Sequence, residues 1–187
     1  MKRFFAVMVA GAALMIGSSA AFAQMMKDDP MVGGAAMYPG KTIVANAMNS
    51  ADHTTLVAAV KTAGLVDTLN GKGPFTVFAP TNDAFAQLPA GAVDMLLKPE
   101  NKAMLAKVLT YHVVAGNWDS KGLAKLIKKG NGQARLKTVS GGTLTASMDG
   151  NNIVLRDEKG GTATVTIADV YQSNGVIHVV NAVLMPN

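Results

Sequence analysis

No cysteine occurs anywhere in this sequence, which removes disulfides, thiolate metal sites, cysteine nucleophiles and lipid attachment through an N-terminal thiol. Stability must come from packing and hydrogen bonds. Aromatic residues are also few, with one Trp, three Tyr and six Phe in 187 residues, so there is no stacking platform for single-stranded nucleic acid. The formal charge of +5, which falls to +3 once Lys2 and Arg3 leave with the N-terminal leader, is too small by itself to argue for a nucleic-acid partner. Only His53, His112 and His178 offer imidazole, and none sits in an HExxH pair, a serine-centred elbow or a closely spaced metal pattern. No phosphate-cradling GxxxxGKS or strand-linked GxGxxG is present. Neither catalysis nor a cofactor has a visible motif.

One long apolar run does occur, from Phe4 to about Gly17, preceded by Lys2-Arg3 and followed by small residues ending Ala21-Phe22-Ala23. This order reads as a secretory signal peptide over residues 1–23 with cleavage after Ala23, since a membrane span wants about 20 apolar residues. Removal leaves 164 residues and lowers the formal charge to +3, because Lys2 and Arg3 depart. The expected product is one domain, secreted or periplasmic, with no transmembrane anchor after cleavage. Nothing in the sequence specifies an oligomeric state.

Gln24 to Gly40 holds Met25, Met26, Met31 and Met37 among Gly, Pro and Asp, with no sustained period. It reads as a flexible N-terminal arm preceding a domain over residues 41–187. Thioethers outside the cytoplasm select Cu(I), so a copper-binding arm is one alternative; against it, the spacing is irregular and the arm has no His.

Beyond the arm, apolar residues from Thr42 to Leu69 recur at helical intervals and predict two or three short helices. His53 falls in a capping region beside Asp52, where an exposed ring serving as a cap or simply solvated is expected in preference to a surface ligand. Further helices follow over Gly91–Leu97 and Pro99–Leu109, with Val93, Leu96, Met104, Leu105 and Val108 inward, and Tyr111–Ala115 has strand character. Asp119 or Ser120 caps a helix over Lys121–Lys129 that turns Leu123, Leu126 and Ile127 inward and Lys121, Lys125, Lys128 and Lys129 outward. With Arg135 and Lys137 these lysines form the strongest positive cluster. It is either a solvated face or a contact for anionic polysaccharide or lipid headgroups. From Ala134 onward RLKTV, TLTASM, NIVLR, TATVTIADVY and VIHVV are separated by SGG, DGN, KGG and SNG, which predicts consecutive antiparallel strands. Helices first and hairpins last argue for an α+β domain.

The chain is organised around GPFTVFAPTNDAFAQLP, Gly73 to Pro89. Phe75 to Ala79 suits a buried strand, Pro80 cannot donate to a ladder and ends it, and Thr81 caps the helix that follows. Asp83 puts negative charge in the first turn, and Ala84, Phe85 and Leu88 form its apolar side. This stretch resembles the first signature of the fasciclin domain family. Tyr111-His112-Val113 and GVIHVVNAVLMP, from Gly175 to Pro186, resemble the central and final signatures in order. The whole looks like the compact secreted bacterial form. The resemblance implies a wedge of antiparallel and mixed strands packed beside a cluster of short helices.

Carried over by position, the resemblance implies interaction roles for Thr81, Asn82, Asp83 and Phe85, for Tyr111 and His112, and for Ile177, His178 and Val179. The expected function is an exported, non-enzymatic adhesion or interaction module at the cell envelope or matrix, its partner an envelope or matrix protein or polysaccharide. An envelope enzyme using His112 or His178 is the competing reading. Strand periodicity argues instead that both rings are structural, His112 sharing a face with Val114 and His178 with Val176 and Val180.

Overall fold

In the computed structural model, which describes residues 29–187, the chain opens with a small hairpin, β1 (Met31–Val32) and β2 (Ala35–Ala36). The proposed signal peptide, its cleavage point, Met25 and Met26 lie outside the described residues. The arm is corrected over its second half. Val32 and Met37 are buried in the core, and Met37 donates its N–H to Pro30 O, so this segment is part of the domain. Two apolar side chains are enough to hold so short a segment where local periodicity has nothing to show.

Helices α1 (Ile43–Ala47), α2 (Thr54–Ala63) and α3 (Val66–Leu69) follow, and α2 closes on Gly64 in the left-handed region at φ 72°, where glycine carries no side-chain penalty. Strand β3 (Phe75–Pro80) then leads into α4 (Asn82–Ala86), α5 (Ala92–Leu97) and α6 (Lys102–Tyr111). Short β4 (Val113–Ala115) and helix α7 (Ser120–Lys129) precede five strands, β5 (Gln133–Lys137), β6 (Thr143–Asp149), β7 (Asn152–Arg156), β8 (Thr162–Gln172) and β9 (Gly175–Val180).

The large sheet runs β4-β3-β9-β8-β7-β6-β5, with neighbours antiparallel except β3 and β9, which are parallel from Phe75 opposite Gly175 to Pro80 opposite Val180. A bridge between Val114 and Thr138 brings the two ends of the sheet toward each other. The α+β wedge and the antiparallel run of the last five strands are as expected, and β3 indeed recruits strands distant in sequence. Pro80 ends its strand as its missing donor requires.

Both faces of the β3–β9 pair are covered, which is why each reads as a continuous apolar run rather than an alternating one. Val77, Ala79, Ile177 and Val179 face a cluster with Leu56, Val60, Phe85, Leu105 and Leu109. Phe78 and Val180 face a second cluster containing Tyr111, Leu123, Ile127, Leu144, Leu155 and Leu184. The parallel pair approaches closely. A Cβ on Gly175 would stand 1.9 Å from the Phe75 carbonyl oxygen, so the register of β9 on β3 requires glycine there.

Three local expectations are corrected. Tyr111 is the last helical residue of α6 and His112 its C-cap, so the strand begins at Val113, because the His112 N–H closes the helix onto Leu109 O. Met104 is 58% exposed, since Leu105, Val108 and Leu109 carry the buried stripe of α6 and leave it at the edge. His53 is buried, not solvated, with Nδ1 2.9 Å from Ser50 Oγ.

Candidate functional site

The three signature segments meet at one seam. Phe78 lies opposite His178 across the parallel pair, their rings stacked with centroids 5.6 Å apart at 23°, and the Phe78 N–H donates to His112 O at 2.9 Å. His178 is fully buried, and its strand alternation with Val176 and Val180 is as the sequence predicted. The Asp169 N–H donates to its Nδ1 at 3.4 Å, which leaves Nε2–H to donate to the Trp118 carbonyl at 2.8 Å. Burial pushes its pKa down, against the opposing pull of that carbonyl and of Asp169 and Asp119.

His112 is held in the same way. Nδ1–H donates to the Val108 carbonyl at 2.8 Å, as a helix C-cap one turn on can, and Nε2 accepts the Leu184 N–H at 3.0 Å. Burial pushes its pKa down to about 4. The ring also lines an apolar cavity of about 40 Å³ with Ile43, Leu56, Val60 and Leu69, which offers a substrate almost no polar group. Neither histidine has a nitrogen free to take a proton from a reactant.

The other signature side chains are likewise engaged. Thr81 Oγ1 accepts the Ala84 N–H at 3.2 Å and caps α4. Asn82 turns outward from that corner to serve another helix: its Oδ1 accepts from the Thr55 N–H at 3.0 Å and its Nδ2 donates to Ala51 O at 2.8 Å, supplying α2 with the cap that its own flanking residue lacks. Asp83 is exposed in the first turn of α4, and Phe85 is buried. The Tyr111 hydroxyl donates to Thr143 O at 2.8 Å and accepts from the Glu158 N–H at 3.2 Å. Ile177 and Val179 point to the opposite side of the sheet from His178. The fold thus gathers the signatures but buries Phe85, Tyr111, His112, Ile177, His178 and Val179.

With this geometry in view, comparison with known proteins is decisive. The Fasciclin domain model matches residues 51–186. The chain belongs to the fasciclin domain family. Among fasciclin relatives, Protein sll1483 of Synechocystis is 47% identical over 83% of this chain and 79% of its own length. Transforming growth factor-beta-induced protein ig-h3 of Sus scrofa is 40% identical over 70% of this chain, which corresponds to 17% of that protein. A solved fasciclin domain pair, from the insect cell adhesion molecule Fasciclin I, superposes with a TM-score of 0.70 at 19% identity, covering 78% of this chain and 51% of that one, a likeness of fold.

The fasciclin seam relies on residues that sequence reading missed. Asn174 is buried, with Nδ2 donating to Leu69 O at 2.7 Å and Gly71 O at 3.1 Å and Oδ1 accepting from the Ile43 N–H at 3.0 Å. Its sequence signal is only that of a turn residue, because its partners lie about a hundred positions away. Asp169, at φ 61° in a bulge of β8, accepts the Ser120 N–H at 2.6 Å and its hydroxyl at 2.5 Å, locking the start of α7 to the sheet. Asp119 caps α7 as expected, accepting from the Gly122 N–H at 2.7 Å.

The lysines lie elsewhere. Lys121, Lys125, Lys128 and Lys129 are all exposed on α7, opposite buried Leu123 and Ile127. Arg135 and Lys137 do not join them. They alternate with Ala134 and Leu136, which pack under α7, and so leave from the other side of β5. No group of three or more His, Asp and Glu side chains suited to a metal occurs among the described residues, and none of their helices is long and apolar enough to cross a membrane.

Proposed function

We propose that this chain is an exported, non-enzymatic adhesion or interaction module of the cell envelope or extracellular matrix. The observation that carries the reading is the full engagement of His112 and His178: each ring is buried and each nitrogen is held by a backbone group, so the two histidines of the competing enzyme reading are committed to structure. Similarity to a protein described as an insect cell adhesion molecule supports the same class. The copper alternative weakens because Met37 is buried in the core, leaving exposed Met31 as the described ligand of the proposed set.

The test pairs retention with turnover. Mature protein, expected by mass spectrometry to begin at Gln24, should bind isolated envelope material saturably and show no turnover on ester, peptide and glycoside panels. His178→Ala should lose about 1–3 kcal/mol of stability, because it strands the Asp169 N–H and the Trp118 carbonyl. Turnover that His178→Gln abolishes at unchanged melting temperature would replace this reading with the enzymatic one.

A further inference from the structure

The outer face of α7 is unlike an ordinary solvated helix face. A solubilising surface intersperses both signs, whereas these ten residues carry four lysines and no carboxylate. At 3.6 residues per turn the four fall within an arc of about 100° directly opposite Leu123 and Ile127. None of the four pairs with a described carboxylate; the ion pair among the described residues is Lys98 with Glu100. Like charges three and four apart oppose helix formation, so the arrangement works against local stability. Only Lys128 and Lys129 are favourably placed in the last turn, beside the negative end of the helix dipole.

The helix that carries them is firmly seated. Asp119 caps it, Asp169 holds Ser120 by two hydrogen bonds, and Leu123 and Ile127 are fixed in the second core cluster. Charge held on a rigid support binds a partner with less ordering cost than the same charge on a loop. The face also lacks an apolar side chain to enter a bilayer. Among the described residues the large exposed hydrophobic ones are Met31, Tyr38, Met48, Met95, Met104, Val139, Met148 and Tyr171, none of them on α7. Membrane-surface helices combine lysines with inserted apolar groups, and this one has only the lysines.

We infer that the Lys121, Lys125, Lys128 and Lys129 face of α7 binds a linear anionic polysaccharide bearing one carboxylate per sugar ring. Lys121, Lys125 and Lys129 recur roughly every helical turn, about 5–6 Å, a repeat of the order of one ring along such a polymer. This inference rests on the interaction-module reading and names its partner.

Polygalacturonate is the probe, with neutral dextran and phosphatidylcholine–phosphatidylglycerol vesicles as comparisons, all against the mature protein. The parent should bind polygalacturonate and not dextran. If four contacts release counterions as on a single-stranded polyanion, affinity should fall roughly fiftyfold between about 50 and about 200 mM salt. Replacing all four lysines with Gln should leave folding intact, since it relieves like-charge contacts, while weakening binding at least about tenfold and flattening the salt dependence. A control with Lys61, Lys72, Arg135 and Lys137 changed to Gln has the same net charge and should stay within about twofold of the parent, because those charges lie outside this face.

Equal loss in both variants would overturn the inference in favour of overall charge. Tighter binding to the vesicles than to polygalacturonate would overturn it in favour of a membrane surface. Envelope retention that survives in the α7 variant, with polygalacturonate binding unaffected as well, sinks this face and leaves the interaction module standing. A parent that holds polygalacturonate but ignores envelope material supports the face and the interaction module, and sinks the placement of that module at the envelope.

Discussion

Two regions of the molecule use polar side chains in opposite ways. At the β3–β9 seam His178, His112, Asn174 and Tyr111 are buried or nearly so, and their polar atoms are matched to backbone groups brought from distant parts of the chain. Along α7 four lysines stand in solvent, none of them ion-paired with a described carboxylate. The first arrangement makes removal costly, because each lost partner leaves a buried group unsatisfied. The second makes removal nearly free for the fold, and leaves the charge available to something else. The residues that identify the family and the residues open to a partner are therefore largely different sets.

The strongest way to break this contrast is at Gly175. Gly175→Ala drives a Cβ into the Phe75 carbonyl, and neither backbone can yield without losing the parallel register, so a loss of roughly 3 kcal/mol or more is expected in urea unfolding. A wild-type-like midpoint would mean that the seam is looser than described.

Acid probes the same region. The folded pKa of His112 is about 4 against an ordinary value of 6.5, so the unfolded chain takes up the proton first. The stability from keeping this ring neutral is complete above about pH 6.5, is lost as pH falls toward 4, and amounts to about 3 kcal/mol across that window. Protonation would also turn Nε2 from acceptor to donor against the Leu184 N–H. His112→Gln should flatten the pH dependence of unfolding by up to one proton; an unchanged slope would show that this ring is not a buried neutral acceptor.

The smallest effect is expected at the other region. Changing all four α7 lysines to Gln should shift stability by less than about 0.5 kcal/mol, as relief of the like-charge contacts offsets the lost dipole interactions of Lys128 and Lys129. A marked loss would show that their alkyl stems pack on the fold and would narrow the contrast.

How much of this could be read from sequence follows from the range of each interaction. Local rules gave the Pro80 stop, the Thr81 cap, the Asp119 cap and the strand–turn succession after Ala134, since each depends on residues a few positions apart. The β1–β2 hairpin escaped because two buried side chains, Val32 and Met37, create no periodicity. Asn82 entered only as a signature position, yet its side chain caps a helix about 27 positions earlier, through Thr55. His53 looked solvated because the strands that cover it come much later in the chain; Ala79, Val170 and Ile177 share a small apolar space with it. The lysine stripe was legible from helical period alone, whereas its separation from Arg135 and Lys137 required knowing which side of β5 meets α7.

The parallel placement of β9 beside β3 also bears on assembly. β3 and β9 are about a hundred residues apart, and β9 must slot between β3 and β8 rather than add to an open side of the sheet. Until it does, β3 has only the three-residue β4 to pair with, while β5 to β8 can already zip as successive hairpins. Closing so long a loop raises the barrier to folding, since its entropy is spent before the contacts that reward it form. Before closure both β3 and β8 present unpaired strand edges, the surfaces most prone to join another chain. The parallel joining of the two halves thus falls to one six-residue strand, with the Val114–Thr138 bridge at the far ends of the sheet as its only companion among the described strand pairings.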